Sequence, residues 1–212
     1  MSFFLGFKRF AKHIFSFWRE PRFPHVSDSA KIARDVVVFT PNNLYMEDNT
    51  NIDTGATIMN THAKLIIKKN SGAAFGLTAV TGNHMSVVGL NLKQVTSKVK
   101  IEKDINHEMD KDIVVEEDVW IGNHVILLSG CKLGRGSEVG AGSVVRGTIP
   151  PYAVVIGNPC KVVGFRFTPE EIIEHEKAQY EESERLPYDL LQKNYEKYFI
   201  NRINDIKQFT KL

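Results

Sequence analysis

The sequence predicts a mainly β chain, a parallel β-helix of six-residue repeats with helical segments at its two ends. Three observations carry the prediction. From Val115 an aliphatic residue returns every six positions, at Ile121, Leu127, Leu133, Val139 and Val145. Four positions after each comes a residue that is mostly small or β-branched: Val119, Val125, Cys131, Ser137, Ser143 and Ile149. Glycine directly follows the aliphatic at Gly122, Gly134 and Gly140.

Neither an amphipathic helix at 3.6 residues nor a strand alternating every two explains a pattern locked to six. A coil of short straight segments does. Each hexad is then a two- or three-residue strand plus a corner, with the aliphatic pointing inward and the small residue packed beside it. The glycine or an asparagine is expected to bend the corner, glycine because it tolerates positive φ. Stacked about 4.8 Å apart, the turns pair strand on strand and merge the aliphatics into one core. The register also fits Ile32, Val38 and Leu44, then Ile52 and Ile58, and, after an insertion around His62 to Leu65, Ile67, Ala73 and Ala79. Three hexads per turn give about five turns, a prism roughly 24 Å long.

The ends read differently. Phe3, Phe4, Phe7, Phe10, Ile14, Phe15 and Trp18 fall at helical spacing among Lys8, Arg9, Lys12 and Arg19, an amphipathic helix over residues 1–20. Its apolar stripe suits capping of the open prism end, and its basic face suits an anionic membrane surface at residues 3–18. It is too short and too charged for a transmembrane span, and no cleavage site follows it. After the prism, expected over 26–165, Thr168-Pro169-Glu170-Glu171 reads as an N-cap, a proline at the first helical position and a capping glutamate. The helix it starts should run to about Arg185, ahead of Pro187. A second helix follows, with Leu191, Tyr195, Tyr198, Phe199, Ile203, Ile206 and Phe209 on one stripe, so that 168–212 is helical.

Composition excludes several classes. With 27 basic and 25 acidic side chains the charge is +2, too balanced for a nucleic-acid footprint. The only cysteines, Cys131 and Cys160, have no metal-ligand spacing, which fits a reducing cytoplasm. No metal constellation, Walker loop or dinucleotide fingerprint is present.

The stretch Asp118-Val119-Trp120-Ile121-Gly122-Asn123-His124-Val125, with Val139-Gly140-Ala141-Gly142-Ser143 and Gly157-Asn158-Pro159-Cys160-Lys161, resembles the hexapeptide-repeat acyltransferases. That resemblance implies a left-handed β-helix, a homotrimer with active sites between subunits, and acetyl-CoA as cosubstrate with no metal. Thr81-Gly82-Asn83-His84-Met85 stands where the regular hexads stop, before an insertion over 85–112 that must leave the prism. Long ordered loops are often functional. The Asn-His-Met is similar to the Asn-His-Arg-Met of xenobiotic acetyltransferases, which maps His84 onto the family's catalytic histidine. A neutral imidazole is matched to taking a hydroxyl proton near neutral pH.

Alternation along its strand points Trp120 outward, where the family uses an indole beside the thioester arm. Resemblance to galactoside and maltose acetyltransferases carries over Asn123, Ala141, Arg146 and Lys161 as coenzyme A contacts. Gly147 and Gly164 depart from the basic residues some relatives carry there. His124 is expected at a prism corner, and His107, inside the insertion, could only assist. Cys131, at a small inward position, and Cys160, where the family commonly has alanine, are set aside as nucleophiles. The resulting expectation is acetyl transfer to a sugar hydroxyl in surface polysaccharide or lipopolysaccharide synthesis, in the cytoplasm or at the inner face of the membrane. The alternatives are acetylation of a xenobiotic of streptogramin or chloramphenicol type, and a non-catalytic trimeric scaffold.

Overall fold

The structure, a computed structural model, describes residues 23–106 and 108–210; the amphipathic segment expected over 1–20 lies outside them, as does His107. The chain winds as a coil. Its first turn is β1 (His25–Val26), β2 (Lys31–Ile32) and β3 (Val37–Val38), and its second is β4 (Leu44–Met46), β5 (Asn51–Ile52) and β6 (Thr57–Met59). The third is β7 (Leu65–Ile67), β8 (Gly72–Ala73) and β9 (Thr78–Val80). An excursion with helix α1 (Ser97–Lys103) then precedes β10 (Ile113–Val115), β11 (Trp120–Ile121) and β12 (Ile126–Leu128). A fifth turn, β13 (Lys132–Leu133), β14 (Glu138–Val139) and β15 (Val144–Val145), leads to β16 (Thr148–Ile149) and β17 (Ala153–Ile156). The coil closes with β18 (Lys161–Phe165), which turns back antiparallel on β17.

Every third strand joins the same sheet, giving three parallel sheets. Sheet A runs β1-β4-β7-β10-β13-β16, sheet B β2-β5-β8-β11-β14-β17 and sheet C β3-β6-β9-β12-β15. The register stacks like on like, with Met46, Ile67, Val115, Leu133 and Ile149 in one column and Ile52, Ala73, Ile121, Val139 and Val155 in another. Leu127 lies between Ala79 and Val145 in the third. These side chains are buried, and burying each large aliphatic contributes about 1.5–3 kcal/mol. Ile32 and Val38, in the first turn, have no further turn beneath them among the described residues and are half-buried.

The glycines do not do what their spacing suggests. Gly122, Gly134 and Gly140 are not the left-handed residues. That conformation recurs three positions after each aliphatic from Val115 to Val139, at Asp118, His124, Gly130, Gly136 and Gly142, and two after Val145 at Gly147, so His124 does sit at a corner. Gly122 is instead a point of close approach: a Cβ there would lie 2.8 Å from the Ala141 amide nitrogen and 2.9 Å from the Val139 carbonyl oxygen of the next turn.

Helix α2 (Pro169–Gln179) starts at the expected capping box, with Thr168 and Glu171 reciprocally bonded. It stops short of Arg185, because Glu181, Glu182 and Glu184 would crowd the negative end of the helix dipole, and a 3₁₀ turn forms there instead. The second stripe is split at Phe199 into α3 (Tyr188–Tyr198) and α4 (Ile203–Thr210). Helix α2 seals the A–B edge of the prism. Glu176, fully buried on it, accepts from the Tyr152 hydroxyl at 2.7 Å, from Arg135 Nη1 at 3.0 Å and from the Leu186 amide at 3.0 Å. Arg135 in turn lies 4.0 Å from the centre of the Tyr180 ring. No helix among the described residues is long and apolar enough to cross a membrane.

Candidate active site

The excursion exists because its sequence cannot be wound as hexads. Ile67 pairs with Val115, 48 positions on, whereas Val115 pairs with Leu133, 18 positions on. The surplus leaves the prism after β9, at the edge where sheet C gives way to sheet A. His84 stands at the mouth of this excursion and is exposed. It is the first residue past Asn83, whose backbone and side chain are tied to the returning limb and to Lys100 of α1. Beside that stem lies a hollow of about 290 Å³ lined by His62, Ser97, Lys100, Ile101, Asp104 and Asp110. None of those six carries a sequence motif, and His62 reads from sequence as ordinary surface.

Trp120 projects outward from sheet B, 54% exposed, between cross-strand neighbours Gly72 and Glu138. Gly72 offers no side chain, and the Asn51 side chain reaches into the space over it. A shallow trough of about 320 Å³ runs from Trp120 to the B–C corner past Ala74, Gly122, Asn123, Gly140 and Ala141. Four of those five side chains are hydrogen or methyl. The close approach that forbids a Cβ at Gly122 therefore also makes the floor smooth enough for an extended chain to lie along backbone.

The expected site residues fall into three groups. Trp120, Asn123 and Ala141 share the trough. Arg146 is exposed just beyond β15, on the same C–A edge as His84 and two strands along the sheet, about 10 Å at the usual spacing. Lys161 begins β18 at the far end of sheet B, where its Nζ lies 4.8 Å from the centre of the Phe209 ring on α4. In a coil of three sheets the C–A edge lies opposite face B. One chain therefore puts His84 and the trough on opposite sides of its prism. Cys131 is fully buried and burial pushes its thiol up to about 12, while burial also raises Cys160.

Residues 112–147 match the family model described as bacterial transferase hexapeptide (six repeats). Across that segment the chain is similar to the hexapeptide-repeat transferases. The match covers the fourth and fifth turns, with Trp120, Asn123, Ala141 and Arg146 inside it. Among curated relatives, this hexapeptide-repeat chain is 36% identical over 99 residues to the galactoside O-acetyltransferase of Lactococcus lactis, covering 42% of the chain and 47% of the relative. It is 46% identical over 59 residues to the chloramphenicol acetyltransferase of Klebsiella aerogenes, covering 28% of each. The chain thus spans less than half the length of the curated relatives it matches. A solved maltose O-acetyltransferase from Clostridium difficile superposes with a TM-score of 0.52 at 24% identity, over 65% of this chain and 66% of that one, a likeness of fold.

Proposed function

We propose that this chain is an acetyl-CoA-dependent O-acetyltransferase that moves an acetyl group to a sugar hydroxyl, with His84 as general base. The observation that carries the reading is the pairing of an exposed indole with a trough of small residues inside the segment that matches the transferase model. Such a trough fits a pantetheine arm, which needs backbone within reach and no bulk in the way. Asn123 and Ala141 would flank the arm, Trp120 would wall the thioester, and Arg146 and Lys161 would meet phosphate oxygens as charge-assisted donors.

His84 takes the proton from the acceptor hydroxyl as its oxygen attacks the thioester carbonyl carbon. The C–S bond then breaks and the proton returns to the leaving sulfur, so no acyl-enzyme and no metal is needed. Because His84 and the trough lie on opposite sides of one prism, the reading includes a left-handed homotrimer in which the C–A edge of each copy meets face B of the next. The A–B edge, sealed by α2, is left free of that contact. The setting we favour is the cytoplasm, at the inner face of the membrane where surface polysaccharide or lipopolysaccharide precursors are made. The basic, aromatic residues 3–18 would supply the peripheral contact. The likeness to a chloramphenicol acetyltransferase favours a second acceptor class, a xenobiotic alcohol.

The test is binding and turnover. Acetyl-CoA at 100 times its Kd should stabilise the protein by about 2.7 kcal/mol. Slow acetyl-CoA hydrolysis should fall about 10²- to 10⁴-fold in His84→Ala. Absence of both effects would leave the trimeric scaffold as the better reading. A screen of sugar and chloramphenicol-type alcohols separates the two acceptor classes.

A further inference from the structure

We infer that Lys100 and Asp110 are positioning residues that set the place of His84 by clamping Asn83, the residue before it. The inference rests on the reading of His84 as the base. The excursion leaves the prism at Thr81 and returns at Lys111, where its two limbs are joined by backbone as the Lys111 amide donates to the Thr81 carbonyl at 3.1 Å. Beyond that point, side chains hold the outgoing limb. Lys100 Nζ, on α1, donates to the Asn83 carbonyl oxygen at 2.7 Å and to Asp110 Oδ1 at 2.6 Å. The same Asp110 oxygen accepts from the Asn83 amide at 3.2 Å, and Asn83 Nδ2 donates to the Met109 carbonyl at 3.0 Å.

Asn83 is therefore fixed at its N–H, its carbonyl and its side chain, by partners from both the returning limb and the excursion helix. A backbone held at both ends of one residue leaves little freedom in the direction of the next Cα–Cβ bond, which carries the imidazole. The ion pair is well shielded, its side chains only 16% and 18% exposed, so it is stiffer than a surface pair. A separate feature of the sequence fits the same device. At Gly82 a Cβ would lie 2.8 Å from Asp110 Oδ1, so glycine is what lets the carboxylate reach the Asn83 amide. Asp104 braces the returning limb from the other side, accepting from the Glu108 amide at 2.8 Å and the Met109 amide at 2.9 Å. Misplacing a base by about 1 Å can cost on the order of 100-fold in rate, so a clamp one residue away is where such control is strong.

The experiment uses the full-length protein with acetyl-CoA as probe and released thiol as readout, in Lys100→Met, Asp110→Asn and Gly82→Ala, each alone and combined with His84→Ala. Hydrolysis should fall about 10- to 100-fold in each single variant while the acetyl-CoA Kd stays within about twofold. Combined with His84→Ala, none should lose further rate, because a residue acting through the imidazole has nothing left to act on. Losses that multiply in the doubles would overturn the inference. In protein carrying ¹³C-labelled histidine, the His84 ring resonance, identified by its loss in His84→Ala, should shift or broaden in all three single variants. An unchanged resonance would also overturn the inference. If the wild-type protein neither binds nor hydrolyses acetyl-CoA, the functional reading fails on its own, and the resonance still decides whether Lys100 and Asp110 hold His84.

Discussion

If base and trough meet only across a subunit boundary, two dead variants must revive one another. His84→Ala removes the imidazole on the C–A edge. Ala141→Glu places a carboxylate in the trough beside Gly122 and Asn123, at an exposed position outside the left-handed set, so the coil is left intact. In a closed ring of three with one repeated heterologous contact, each site takes its edge from one copy and its face from the next. After free exchange of equal amounts, a site works only when the edge comes from an Ala141→Glu chain and the face from a His84→Ala chain. About one site in four meets both conditions in the unsorted mixture, and about one in three once rings of a single chain type are removed, so purified mixed rings should regain roughly one third of wild-type turnover from parents with almost none. Differently tagged chains co-expressed in one cell and purified through both tags supply the mixed rings, and acetyl-CoA hydrolysis is the assay. A site contained within one chain gives no such recovery. Mixed rings confirmed by intact mass with turnover no higher than the parents would refute the opposed-sides argument.

Three further outcomes test the scaffold and the chemistry around the site. Glu176→Ala removes the acceptor shared by the buried Tyr152 hydroxyl and the Arg135 guanidinium, which keeps Glu117 at 2.8 Å, and should cost about 1–3 kcal/mol in urea unfolding; a loss below about 0.5 kcal/mol would show that α2 is not held by this network. Burial holds the Cys131 thiol at about 12, so it stays protonated at pH 8, and a thiol reagent should leave it unlabelled in the folded protein up to strongly alkaline pH. The Cys131→Ser, Cys160→Ser double variant should keep its acetyl transfer; a folded but inactive double would instead implicate an acyl-cysteine.

The prism was legible because its core repeats at a fixed interval, and a period survives without knowledge of the partner. Leu127 and Val139 could be placed inward by counting alone, and both are buried. Conformation is harder to count. The left-handed corner also recurs every six residues, but Asp118 and His124 fill it as well as glycine, since their polar side chains tolerate that region, whereas the glycine one step after the aliphatic marks close approach of the next turn. Helix α2 is legible at its start, where a capping box is local, and not at its end, where three glutamates weigh against the helix dipole.

The site separates along the same line. Trp120 could be turned outward by strand alternation, because its neighbour Ile121 is inward, and Gly140 and Ala141 could be read as small because the repeat fixes what lies next to them. Lys100 and Asp110 could not, since each finds Asn83 across a non-repeating excursion whose contacts leave no spacing in the chain. A solenoid thus exposes half of its chemistry to sequence reasoning. The strands are periodic, so binding surfaces built on them inherit the period, whereas an imidazole displayed by an excursion is positioned by pairings that only the folded chain reveals. Substitutions on the trough should therefore be interpretable from register alone, and substitutions around His84 only from the contacts of the excursion.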